Sequence, residues 1–116
     1  HALAREVLSR PDRPTALFCY NDRMAMGAYQ AATELGLKIP DDLSLVGFDN
    51  QELIAANLLP GLTTVALPHY EMGAWAVKRL VEMLESDTPR EPFGAPPTRL
   101  ECPLIVRASV AAPRHS

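Results

Sequence analysis

A chain of 116 residues that is 47% hydrophobic and 22% charged has the composition of an ordinary globular unit, long enough for one modest core and too short for two. Its formal net charge is −3 and no stretch concentrates Lys or Arg, which argues against a phosphate-tracking surface, so this chain is not expected to bind nucleic acid by itself. No apolar run approaches the ~20 residues of a membrane span, and the N-terminus lacks the charged-then-apolar order of a signal peptide.

In chain order, Ala2 to Arg10 places Leu3, Val7 and Leu8 on one helical side and stops before Pro11, as the last turns of a helix would. Thr15 to Tyr20 is a short apolar run that suits a strand buried on both faces. Asn21 or Asp22 can cap a helix running to about Leu35, where Gly36 supplies the stop. Met24, Ala28, Ala31, Ala32 and Leu35 mark its predicted core side.

Leu43 to Phe48 reads as a second buried strand, ending in Asp49-Asn50 before a short helix from about Gln51 to Leu58. Two successive strand-helix units predict an α/β fold with a doubly wound parallel sheet. Pro60-Gly61 turns the chain into a third strand, Leu62 to Leu67, and Tyr70 to Glu85 forms the longest predicted helix. Ser86 to Pro97, with four prolines and a glycine, is expected to be an irregular connection. Thr98 to Val106 alternates, and Pro103 confines that strand to a sheet edge or a bulge. The two cysteines, Cys19 and Cys102, sit far apart in apolar runs without metal-ligand spacing and are expected to be buried thiols.

Ligands of open parallel α/β sheets bind beyond the carboxyl ends of the strands, where Asn21-Asp22 and Asp49-Asn50 both fall. A carboxylate accepts hydrogen bonds from hydroxyls or ring N–H groups, and an asparagine both donates and accepts, so these residues suit a small polar ligand such as a sugar or nucleobase. On spacing alone all four serve equally well as helix caps. Catalytic chemistry has no support: there is no GxSxG elbow, the Tyr20-Asn21-Asp22-Arg23 turn has no phosphate-cradling glycine, and His69 reads as an exposed loop imidazole. No catalytic residue, metal site or cofactor is predicted.

The string Pro14-Thr15-Ala16 through Asn21-Asp22-Arg23-Met24-Ala25-Met26-Gly27-Ala28 resembles the "PTA…NDxMAxGA" segment of the lactose/galactose-repressor family of transcription regulators. Gly36-Leu37 through Gly47-Phe48-Asp49-Asn50 is similar to that family's "GLxVPxDxSxVGFDN", Pro60 to Val65 to its "PPLTTV", and Leu104 to Ser109 to its closing "LVVRxS". The resemblance spans nearly the whole chain.

It implies part of a type I periplasmic-binding-protein-like fold, two lobes with an effector held between them. Residues 1–67 would belong to the C-terminal lobe, 68–96 would return to the N-terminal lobe, and 97–116 would carry the closing strand and the tail. A helix-turn-helix that reads operator DNA, a hinge and most of the first lobe would lie outside this chain. Asn21 and Asp49 match positions that contact a sugar-like effector. Tyr20 stands where members often have a small residue and Trp75 where many have a polar one, which leaves the effector's identity open.

Met26, Tyr29 and Thr33 project away from the predicted core side as an apolar strip with no intrachain use. The family dimerises through this helix and the one after Asp49, so the resemblance implies a homodimer contact including Met26, Tyr29, Gln30 and Leu53. The chain is thus expected to be the effector-binding part of a cytoplasmic transcriptional regulator, a repressor and not an enzyme. The alternative is the periplasmic sugar-binding subunit of a transporter, which shares the fold.

Overall fold

The structure, a computed structural model, describes residues 1–86 and 98–114. The chain divides into two compact units, His1–Leu67 with Pro103–Ser116, and Pro68–Cys102. The predicted Pro-rich connection falls outside the described residues except for Ser86.

The first unit holds α1 (Ala2–Leu8), β1 (Ala16–Phe18), α2 (Asp22–Glu34), β2 (Ser44–Asp49), α3 (Glu52–Ala55), β3 (Thr63–Ala66) and β4 (Leu104–Ile105). These strands form one sheet in the order β1-β2-β3-β4. The first three run parallel, with Phe18 opposite Val46 and Val46 opposite Thr63. β4 closes the edge antiparallel, with Thr64 opposite Ile105. Pro103 sits at that edge as its missing N–H requires, offering only its carbonyl, which accepts from the Ala66 N–H at 2.8 Å.

α2 is started and stopped by its own sequence. Asn21 is extended (φ −154°) and its Oδ1 accepts the Met24 N–H at 2.9 Å. At the other end Gly36 takes φ +69°, with the Gly36 N–H bonded to the Thr33 carbonyl at 3.1 Å and the Leu37 N–H to the Ala32 carbonyl at 2.8 Å. That pair of bonds is the Schellman stop, and it needs a left-handed residue that glycine adopts without strain.

α2 contacts β2, and α1 and α3 both pack against α2. Its buried residues are Asp22, Ala25, Ala28, Tyr29, Ala31 and Ala32, so the core face is rotated from the predicted one. Alanines let the helix backbone approach the sheet closely, which leaves the long Met24 outside at 54% exposure and draws Tyr29 in at 8%. The Tyr29 hydroxyl donates to the Pro60 carbonyl at 2.7 Å, and burial pushes the phenol's pKa up to about 12. The apolar strip expected to lack intrachain use therefore loses its aromatic member to the core.

Two further expectations are corrected. β1 is not buried on both faces: Leu17 packs on the core while Ala16 and Phe18, which point to the opposite face of the pleat, are exposed. Cys19 is half-buried, and that burial raises its thiol pKa, but Cys102 is exposed. The core gathers Leu8, Leu43, Leu45, Ala55 and Leu62 with the α2 alanines.

The second unit contains α4 (His69–Glu85), which buries none of its residues. His69 is its exposed first residue rather than part of a loop. Among the described residues no helix is long and apolar enough to cross a membrane.

Candidate functional site

The parallel register sets the site's frame. Phe18 pairs with Val46, and Asn21 and Asp49 each follow their strand's paired residue by three positions, so both stand at the carboxyl end of the sheet on neighbouring strands. The chain leaves the two strands differently. Asn21 enters α2 in ordinary extended geometry, its Oδ1 committed to the cap. Asp49 and Asn50 both take positive φ, 114° and 54°, with no glycine between them. Asp and Asn tolerate that region better than other side chains, yet such residues still cost about 1–3 kcal/mol each and persist only where the surroundings over-determine them.

Each residue of the Asp49-Asn50-Gln51 turn is held separately. The Gln51 N–H donates to Asp22 Oδ2 at 2.7 Å, the Gln51 side-chain Nε2 donates to Asp49 Oδ2 at 2.9 Å, and Arg107 Nη2 donates to Asn50 Oδ1 at 2.8 Å. Asp49 and Asn50 are half-buried, so their side chains are both fixed and reachable. A carboxylate in that state can accept from a ligand hydroxyl or N–H without first losing conformational freedom.

Asp22, beside the predicted Asn21, does unrelated work. It is fully buried, and its Oδ1 accepts from Thr64 Oγ1 at 2.6 Å while Oδ2 takes the Gln51 amide. Gly47 makes the room, since a Cβ there would collide with Asp22 Oδ1 and lie 2.8 Å from Leu62 Cδ2. Arg107 is likewise built in: its N–H donates to Thr63 Oγ1 at 3.0 Å and its Nη1 to the Leu62 carbonyl at 2.9 Å. Sequence reasoning left Asp22 as one of two possible caps and gave Arg107 no role. The spacing Asp22, Ala25, Tyr29, Ala32 along one helical face was the available signal for the first.

A cavity of about 620 Å³ opens beside α1, β1 and α2, its wall including Leu3, Val7, Phe18, Tyr20, Asn21 and Met24. Asn21 reaches it and Asp49 does not, so the two predicted ligand residues share a sheet end without sharing this cavity. The apolar hollow runs along the outer strand, whereas the strained turn sits at the strand-end position where α/β sheets bind ligands; the turn is the stronger candidate. Among the described residues no group of His, Cys, Asp or Glu could hold a metal ion. Of the predicted self-association residues, Met26 and Leu53 are exposed at 46% and 89%, Gln30 is exposed, and Tyr29 is in the core.

Three parallel strands with an antiparallel edge strand, helices between them and fixed polar groups at the carboxyl ends of β1 and β2 define an open α/β fold of the doubly wound kind. The family described as periplasmic binding protein-like domain matches residues 1–110. The HTH-type transcriptional repressor CytR of Escherichia coli K12 is 40% identical over 108 residues, covering 93% of this chain and 30% of the repressor. A ribose-bound LacI family transcriptional regulator from Enterococcus faecium superposes with a TM-score of 0.76 at 31% identity, over 95% of this chain and 38% of that one. The dimeric Lac repressor with an 11-residue C-terminal deletion does so with a TM-score of 0.83 at 30% identity, over 97% of this chain and 39% of that one. This chain belongs to the periplasmic binding protein-like domain family, in the form carried by lactose/galactose-repressor regulators. It spans 30% of the length of the curated relative CytR.

Proposed function

We propose that these residues form the effector-holding and dimerising part of a cytoplasmic transcriptional repressor. Residues 1–67 and the closing stretch 97–116 serve as its C-terminal lobe, and 68–96 return to the N-terminal lobe. Asp49 binds a sugar-like effector through its carboxylate, and Asn21 contributes the amide end left over from its capping bond. Operator DNA is read by a helix-turn-helix elsewhere in the polypeptide, consistent with the weak, unclustered positive charge here. The observation that carries the reading is the Asp49-Asn50 turn, two strained, tethered polar residues at a strand's carboxyl end. The likeness to repressors favours a regulator over the sugar-binding subunit of a transporter.

Thermal-shift screening of the complete gene product against sugars, sugar phosphates and nucleobases tests it, because a ligand that binds only the native state raises Tm. At least one compound should give a shift, and Asp49→Asn should shrink it at the same ligand concentration. An Asp49→Asn protein that keeps the full shift would remove Asp49 from the site.

For dimerisation the proposed surface is α2 and α3 around Met26, Gln30 and Leu53, with Tyr29 supporting it from inside rather than touching a partner. A two-fold contact places the same patch on both subunits, so one charge per chain enters the interface twice. Met26→Glu should convert the complete gene product to monomers in light scattering; an unchanged dimer would move the contact elsewhere.

A further inference from the structure

Two consecutive non-glycine residues at positive φ do not hold themselves, and two of the bonds that hold their turn come from distant parts of the chain. We propose that Asp22 and Arg107 are positioning residues for the Asp49 carboxylate: one from the first turn of α2, the other from the segment after β4, they clamp the turn so that Asp49 is presented in one orientation before any ligand arrives. This rests on the reading of Asp49 as the ligand-binding group.

The chemistry of the clamp is matched at each point. The Asp22 carboxylate has only acceptors, and both its partners, the Thr64 hydroxyl and the Gln51 N–H, can donate. Gln51 then passes the constraint on, because its side chain donates to Asp49 Oδ2 at 2.9 Å. Arg107 is fixed to the start of β3 twice, through Thr63 Oγ1 and the Leu62 carbonyl, before its remaining amino group reaches Asn50. Gly61 leaves space for its stem, since a Cβ there would stand 3.2 Å from Arg107 Cδ. The turn is thereby referenced to α2 on one side and to β3 on the other.

A clamp differs from a general contribution to stability in where its loss is felt. Amide hydrogen exchange on the complete gene product separates the two, with Ala28 and Ala32, buried in the middle of α2, as reporters of global opening. In Asp22→Ala and in Arg107→Met, exchange at Gln51, whose N–H is held by Asp22, and at Ile54 and Ala55, whose N–H groups are held by the Gln51 carbonyl, should accelerate by about tenfold more than at the reporters. Asp22→Asn should restore protection, because its oxygen can keep the Gln51 N–H while its NH₂ faces Thr64 Oγ1 with the hydroxyl turned to accept. Arg107 is only half-buried, so Arg107→Met supplies the test even if Asp22→Ala does not fold. Turn amides that change only in step with the reporters in Arg107→Met would overturn the proposal. Local loosening in a protein that gives no thermal shift with any sugar or nucleobase would uphold the clamp while removing the ligand role of Asp49.

Discussion

At the end of β1 the chain reads Asn21-Asp22 and at the end of β2 it reads Asp49-Asn50, the same two residue types in opposite order one strand apart. The first pair is absorbed by the fold: Asn21 caps α2 in relaxed backbone and Asp22 disappears into the core. The second pair is held in strained backbone with its side chains half-exposed and tied from outside. Similar polar dipeptides thus divide into one set into the scaffold and one held in strained, half-exposed backbone, and what separates them is backbone conformation and burial rather than residue type.

The largest effect that can break this contrast belongs to Asp22. Asp22→Ala removes the acceptor of the buried Thr64 hydroxyl and of the part-buried Gln51 N–H, and each orphaned group costs about 1–3 kcal/mol, so urea unfolding should show a loss of about 2–6 kcal/mol. A loss below about 0.5 kcal/mol, the size of an ordinary surface substitution, would mean that Asp22 is no more structural than Asp49. Next is Gly47→Ala, whose methyl would occupy the place of the Asp22 carboxylate. Overpacking of that kind costs about 1–3 kcal/mol, and combined with Asp22→Ala the penalty should shrink, since the nearer clash is gone and only the flexible Leu62 end remains in the way. Penalties that add in full would place the clash elsewhere. Smaller still is Asn21→Ala, which should lower stability by about 1 kcal/mol through the lost cap, with Asn21→Ser recovering most of it.

Much of this was legible beforehand. The strand-helix alternation, the Gly36 stop, the edge placement forced by Pro103 and the two strand-end polar pairs all follow from local rules of spacing and backbone chemistry. What was not legible depends on how close elements come. The core face of α2 was anchored on Met24 because it is large and apolar, but a helix whose inner positions are alanines packs by proximity, and Tyr29 was the side chain that fitted. The burial of β1 was overread because an apolar run does not say whether a packed layer covers each face of the strand. The positive φ values at Asp49 and Asn50 carry no glycine to announce them, and the Arg107 bond that fixes Asn50 crosses 57 residues of sequence.

The division of labour is tested most directly by Asp49→Asn, which keeps the side chain's shape and its tolerance of positive φ but removes the charge. Unfolding stability should stay within about 0.5 kcal/mol of the parent, while affinity for the compound that shifts Tm should fall by about 1.5–3 kcal/mol, the worth of a charge-assisted hydrogen bond. Unchanged affinity together with a stability loss as large as that of Asp22→Ala would contradict it, and would make both strand ends parts of the scaffold.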